Sequence, residues 1–141
     1  MKTLKFILLI AMAVVMASCC ACRKGKKVVD KPLTATKWEL VEMNGQQVKT
    51  NDNYYLVLNA DDTNFNGRGD CNSMMGNYTL DSKTGKLALN AIGSTRAFCT
   101  DQAGEDRFFQ ALSQVNNYDV DGDLLLLFNK NSELILVLQA K

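Results

Sequence analysis

The sequence contains no histidine and one proline, and from residue 33 onward it has two cysteines. Without histidine, the Ser-His-Asp and Cys-His arrangements of nucleophilic catalysis are excluded. The commonest zinc ligand is missing too, and two cysteines alone do not complete a zinc site. Residues 33–141 also lack a basic face, with 9 Lys and Arg against 14 Asp and Glu. That mildly acidic balance does not suit a phosphate backbone, so no nucleic-acid partner is expected. What remains is a chain of 141 residues, 47% hydrophobic and 22% charged, the composition of an ordinary folded protein.

The first residues differ from the rest. Lys2 and Lys5 precede an uncharged stretch from Phe6 to Met16, followed by the small residues Ala17 and Ser18. This is the three-part pattern of a secretory signal peptide, expected over residues 1–18. The strongly apolar core is shorter than a usual membrane span. Met16-Ala17-Ser18-Cys19 resembles the lipobox of bacterial lipoproteins, with Met16 in place of the usual Leu. Cys19 is therefore the expected lipidation site, and its acyl chains would anchor the protein to a membrane without a spanning helix. Residues 19–32 read as a lipidated basic tether through Arg23-Lys24-Gly25-Lys26-Lys27 and Lys31. Such a run lies against anionic headgroups at about 1 kcal/mol per charge. Location in the cell envelope, facing the periplasm, is the expectation.

Residues 33–141 form the folded domain. Trp38–Met43 alternates partly and ends at Asn44-Gly45, a strong hairpin signal. Tyr54–Leu58, a short stretch from Thr63 to Gly67, Met74–Leu80 and Lys86–Leu89 read as further strands separated by turns. Asp101 to Asn117 reads as the one helix, with Phe108, Leu112 and Val115 on one apolar stripe. Two strands, Leu124–Phe128 and Leu134–Leu138, close the chain; as nearly continuous apolar runs they are expected to be buried on both faces. The fold class is α+β, mainly antiparallel β, with a small curved or barrel-like sheet and one covering helix.

Three segments now stand in a recognisable order: Trp38-Glu-Leu with Asn44-Gly45; Asp70-Cys71-Asn72 running to Gly76-Asn-Tyr78; and Gly93-Ser-Thr95-Arg-Ala-Phe-Cys99 before a helix with Glu105 and Phe108. Together they resemble the META/HslJ-like domain family, over about residues 33–138. The motif residues carried over are Trp38, Gly45, Cys71, Asn72, Gly76, Thr95, Cys99 and Glu105. Asp70 stands where the family usually has Gly. The resemblance implies a compact β-rich fold with one helix and an envelope role linked to stress or antibiotic tolerance, with no established reaction. Cys71 and Cys99 lie in two of its motifs and so are expected to be neighbours. Two readings lead: a disulfide, worth about 3–4 kcal/mol on the chain-entropy model, or a pair of reduced buried thiols. A redox or nucleophilic pair is disfavoured, with no Cys-x-x-Cys and no histidine to act as base.

Other constellations have bland readings. Asp119-Val-Asp121-Gly122-Asp123 misplaces its glycine for a calcium loop and has Lys130 at the twelfth position, so it reads as an Asp-Gly hairpin turn. Arg68-Gly69-Asp70 spells an adhesion tripeptide but reads as the glycine-rich approach to Cys71. Asp61-Asp62 and Glu105-Asp106 read as solvated charges, and Met74-Met75 as core filling. No catalytic residue, cofactor or metal is expected. The functional expectation is a monomeric, non-enzymatic interaction or stability module with a protein partner in the envelope. The alternatives are a small-ligand carrier using the mouth of a barrel-like sheet, and an enzyme inhibitor using the loops at 61–64 and 67–70.

Overall fold

The computed structural model describes residues 29–49 and 53–141. The expected signal peptide, Cys19 and the basic run Arg23–Lys27 lie outside the described residues. The elements, in chain order, are β1 (Trp38–Met43), β2 (Gln46–Gln47), β3 (Tyr55–Leu58), β4 (Asn64–Arg68), β5 (Ser73–Asp81), β6 (Lys86–Ser94), α1 (Gln102–Ser113), β7 (Asn117–Asp121), β8 (Leu124–Phe128) and β9 (Leu134–Ala140). Each strand pairs antiparallel with its neighbour. β1 pairs with β3 and also with β9, so the sheet closes into a ring. The short β2 hangs from the far end of β1 through the Asn44-Gly45 turn. Both turn residues have positive φ, 50° and 76°, as a two-residue hairpin of this twist requires.

Closure puts one face of every strand inside. Trp38, Leu40, Leu56, Leu58, Phe65, Met74, Leu87, Leu125, Leu127, Leu136 and Leu138 fill the ring. The two methionines part company: Met74 is core, whereas Met75 points outward and is exposed. A carrier would need a cavity inside the ring, and this interior is packed with large side chains instead.

One seam is weak. β6 and β7 pair only at Lys86 with Asn117, so the rest of β6 has no strand beside it on that side. The helix covers this opening: Phe108, Ala111 and Leu112 are buried in the core, with Val115 just beyond the helix end. Asp101 caps the helix, accepting from the Gly104 N–H at 3.0 Å.

Three expectations need correction. The helix stops at Ser113 rather than continuing to Asn117, because Asn116 donates to the Phe128 carbonyl (2.8 Å) and draws the chain into the sheet. Asn117–Asp121 is therefore a strand, and three strands close the chain rather than two. β8 is not buried on both faces: Leu125 and Leu127 are buried while Leu124, Leu126 and Phe128 are only half-buried. β9 departs less from that expectation, with consecutive Ile135 and Leu136 both buried. β6 also runs further than its apolar pattern, to Ser94.

Asp30 and Lys31 are tied to the β7–β8 turn: the Lys31 N–H donates to the Gly122 carbonyl (2.8 Å) and the Gly122 N–H to Asp30 Oδ1 (2.9 Å). Trp38 is fully buried, and its indole N–H donates to the Leu33 carbonyl at 2.9 Å.

Candidate functional site

Five of the eight motif residues converge on one hub around buried Asn72 and Glu105, with half-buried Cys71 and Cys99 and exposed Thr95 at its edge. Trp38 lies in the core, Gly45 in the first hairpin turn and Gly76 at the β5 bulge against Phe65, all apart from it. Glu105 sits in the first turn of α1, where the positive helix end favours a carboxylate. It is not a solvated charge: it is 1% exposed, whereas its neighbour Asp106 is exposed. Its Oε2 accepts from the backbone N–H of Cys71 (3.1 Å) and of Asn72 (2.8 Å). Oε1 accepts from the Asn72 side-chain amide at 2.5 Å. Removing a carboxylate from water costs several kcal/mol. Hydrogen bonds to a charged group, at roughly 1.5–3 kcal/mol each, offset that cost.

Asn72 is the junction. Its Oδ1 accepts from Thr95 Oγ1 (2.9 Å) and from the Ala97 N–H (2.7 Å). Its amide nitrogen faces Glu105, the Ala97 carbonyl (3.2 Å) and Cys99 Sγ (3.0 Å). Thr95 Oγ1 in turn accepts from the Ser73 N–H. One side chain thus ties the loop after β4, the loop after β6 and the helix start together. The loop after β4 can come this close because residue 69 is glycine: a Cβ there would stand 2.5 Å from Glu105 Cγ. Within residues 67–70, Gly67 and Gly69 are buried, whereas Arg68 is exposed and Asp70 half-buried. The loop at 61–64 is a tight turn in which Asp62 accepts from the Asn64 N–H at 2.8 Å.

Cys71 and Cys99 are joined in a disulfide, with Cα atoms 5.8 Å apart. Cys71, Cys99 and Glu105 offer ligand atoms within 4.8 Å of one another. The sulfurs are bonded to each other, however, and the Asn72 amide nitrogen fills the space among the three groups. Every buried side-chain nitrogen and oxygen among the described residues has a hydrogen-bond partner.

Tyr54 packs beside it. Its ring meets Phe108 edge-on (5.5 Å between centroids), and its hydroxyl donates to Asp101 at 3.4 Å. Burial, then the Asp101 and Asp70 carboxylates, hold the Tyr54 hydroxyl well above the usual phenol range. Burial, then Asp62, raises Tyr78 as well. In the unfolded chain both phenols ionise near pH 10, before they would in the folded one. Stability from these groups is complete below pH 10 and lost above it. We expect urea-unfolding free energies to be flat from pH 8 to 9 and to fall above pH 10. The slope should approach about 1.4 kcal/mol per pH unit for Tyr54, and Tyr54→Phe should make it shallower.

Just outside the hub, the residue before Cys99 points away from the protein. Phe98 is 105% exposed. Beside it runs an open groove of about 350 Å³, lined by Thr95, Arg96, Phe98, Gln102, Asp106 and Phe109. Sequence reading singled out neither Phe98 nor the groove: an aromatic beside a cysteine carries no signal of exposure. The burial of Glu105 was equally hidden, since its backbone donors lie 33 and 34 positions away.

Comparison with known proteins places this geometry. The META domain family model matches residues 31–141. An NMR structure of a protein from Burkholderia xenovorans is similar at TM-score 0.61 and 23% identity, covering 84% of this chain and 96% of that one. A crystal structure of a DUF4847 family protein from Bacteroides vulgatus is similar at TM-score 0.60 and 15% identity, covering 76% and 93%. At these identities the likeness is one of fold. No curated protein matches the chain in sequence.

Proposed function

The chain belongs to the META domain family, and on that premise we propose that it is a lipid-anchored envelope protein whose domain is a non-enzymatic interaction module. In this reading residues 1–18 are removed and Cys19 carries the lipid. The basic tether lies on anionic headgroups, and the domain meets a protein partner on the periplasmic side. A link to envelope stress or antibiotic tolerance belongs to the same reading.

The observation that carries it is Phe98, fully exposed between Ala97, which donates to Asn72, and Cys99, which is held by the disulfide. Leaving a large aromatic side chain in water costs roughly 1.5–3 kcal/mol relative to burying it. Pre-ordered aromatic anchors are the residues on which protein interfaces concentrate their binding energy. The hub supports the same reading from the other side, because all its polar groups are spent on positioning.

Two measurements test the proposal. A palmitate analogue fed to cells should label the wild-type chain and not Cys19→Ala. Chemical cross-linking in intact cells, followed by pull-down on a tag after Lys141, should enrich one envelope protein over the Cys19→Ala control. Phe98→Ala should lower that yield about 30-fold, the equivalent of a 2 kcal/mol anchor. Equal recovery with Phe98→Ala would remove Phe98 from the contact surface, and no specific partner at all would defeat the reading.

A further inference from the structure

We infer that the Cys71–Cys99 bond is a reducible latch on Phe98, so that a dithiol reductant switches the contact surface off while the domain stays folded. The inference rests on the reading of Phe98 as the contact residue and adds the regulation of that site.

The argument lies in what each bond holds. Thr95 and Ala97 are fixed to Asn72 Oδ1, and Asp101 is fixed as the helix cap. The Cys71 and Asn72 N–H groups are fixed to Glu105. None of these contacts needs the disulfide. Between Ala97 and Asp101, no backbone–backbone hydrogen bond among the described residues holds Phe98 or Cys99. The covalent hold on this short stretch is Cys99 Sγ. By residue both cysteines are half-buried, at the edge of the hub.

The chemistry is a two-step exchange. One thiolate of the dithiol attacks one sulfur of the bond, forming a mixed disulfide and releasing the other cysteine, which takes a proton from water. The second thiol then attacks the mixed disulfide. The reductant leaves as a disulfide, and Cys71 and Cys99 are left as two thiols, with two electrons and two protons transferred. Glu105 Oε1 lies 3.5 Å from Cys99 Sγ.

The test uses the full chain, dithiothreitol and limited digestion with chymotrypsin, with cleavage sites read by mass spectrometry. Reduction should raise cleavage after Phe98 about tenfold or more, while sites after the buried Phe65 and Phe108 stay protected. The Cys71→Ser/Cys99→Ser variant should be cut quickly at Phe98 with or without reductant. The latch is overturned if dithiothreitol leaves both cysteines closed to alkylation, if Phe98 cleavage is unchanged once they are alkylated, or if the buried sites open in parallel. Failure here leaves the cross-linking result untouched. A latch that opens as expected in a protein with no captured partner would instead count against the function alone.

Discussion

Asn72→Asp lowers the unfolding free energy by about 3–5 kcal/mol at neutral pH, the range for an uncompensated buried charge. The substitution changes almost no volume. It replaces an NH₂ that donates to Glu105 Oε1 at 2.5 Å with an oxygen of the same charge as its neighbour. The Ala97 carbonyl loses its donor as well. Two carboxylates this close cannot both ionise, so the pair must hold one proton, and its affinity for that proton rises above that of an unfolded carboxyl. A raised folded-state pKa gives stability at acid pH that is lost as pH rises. The deficit should therefore shrink to about 1 kcal/mol near pH 4.5 and grow towards pH 7. Asn72→Ala, which removes the bonds without adding charge, should cost about 2–3 kcal/mol with little pH dependence. Urea denaturation at the two pH values separates them. An Asn72→Asp deficit below 1 kcal/mol at both would mean that the hub does not hold the loops.

Phe108→Ala should cost about 3–5 kcal/mol, the usual range for deleting a buried phenylalanine. Phe108 is 0% exposed and packs edge-on against Tyr54. The effect should be local as well as large. α1 has 12 residues, a length at which an isolated helix is marginal in water. It stays helical because Phe108 and Leu112 are buried where β6 and β7 part. With Phe108 gone, amide exchange should accelerate across Gln102–Ser113 well before the β8–β9 ladder, and Glu105 should loosen with the helix. Uniform exchange across the domain, or a loss under 1.5 kcal/mol, would mean that the helix is held by something other than this plug.

Turn chemistry made much of the ring legible in the sequence. Asn44-Gly45 and Gly122 mark hairpins because the backbone there needs positive φ, a local requirement that only certain residues meet easily. The helix stripe of Phe108, Leu112 and Val115 was legible for the same kind of reason. What failed was context. In Asn117-Tyr118-Asp119-Val120-Asp121 the half-buried Tyr118 and Val120 alternate with exposed Asp119 and Asp121, but Val115 just upstream still fits the helical period. β8 looked doubly buried because leucine is equally at home on a half-covered outer face. The hub was legible in membership, since Cys71, Asn72, Thr95, Cys99 and Glu105 all stood in the motifs. It was not legible in architecture, because Glu105 is satisfied by backbone N–H groups, which every residue type carries.

If the polar hub holds Phe98 out for a protein partner, a photo-reactive phenylalanine analogue at position 98, illuminated in intact cells, should capture that partner, with the same analogue at Lys83 in the exposed β5–β6 turn as control. One covalent envelope-protein adduct from position 98, and none from position 83, is the predicted result. No adduct from 98, or equal adducts from both positions, would contradict it.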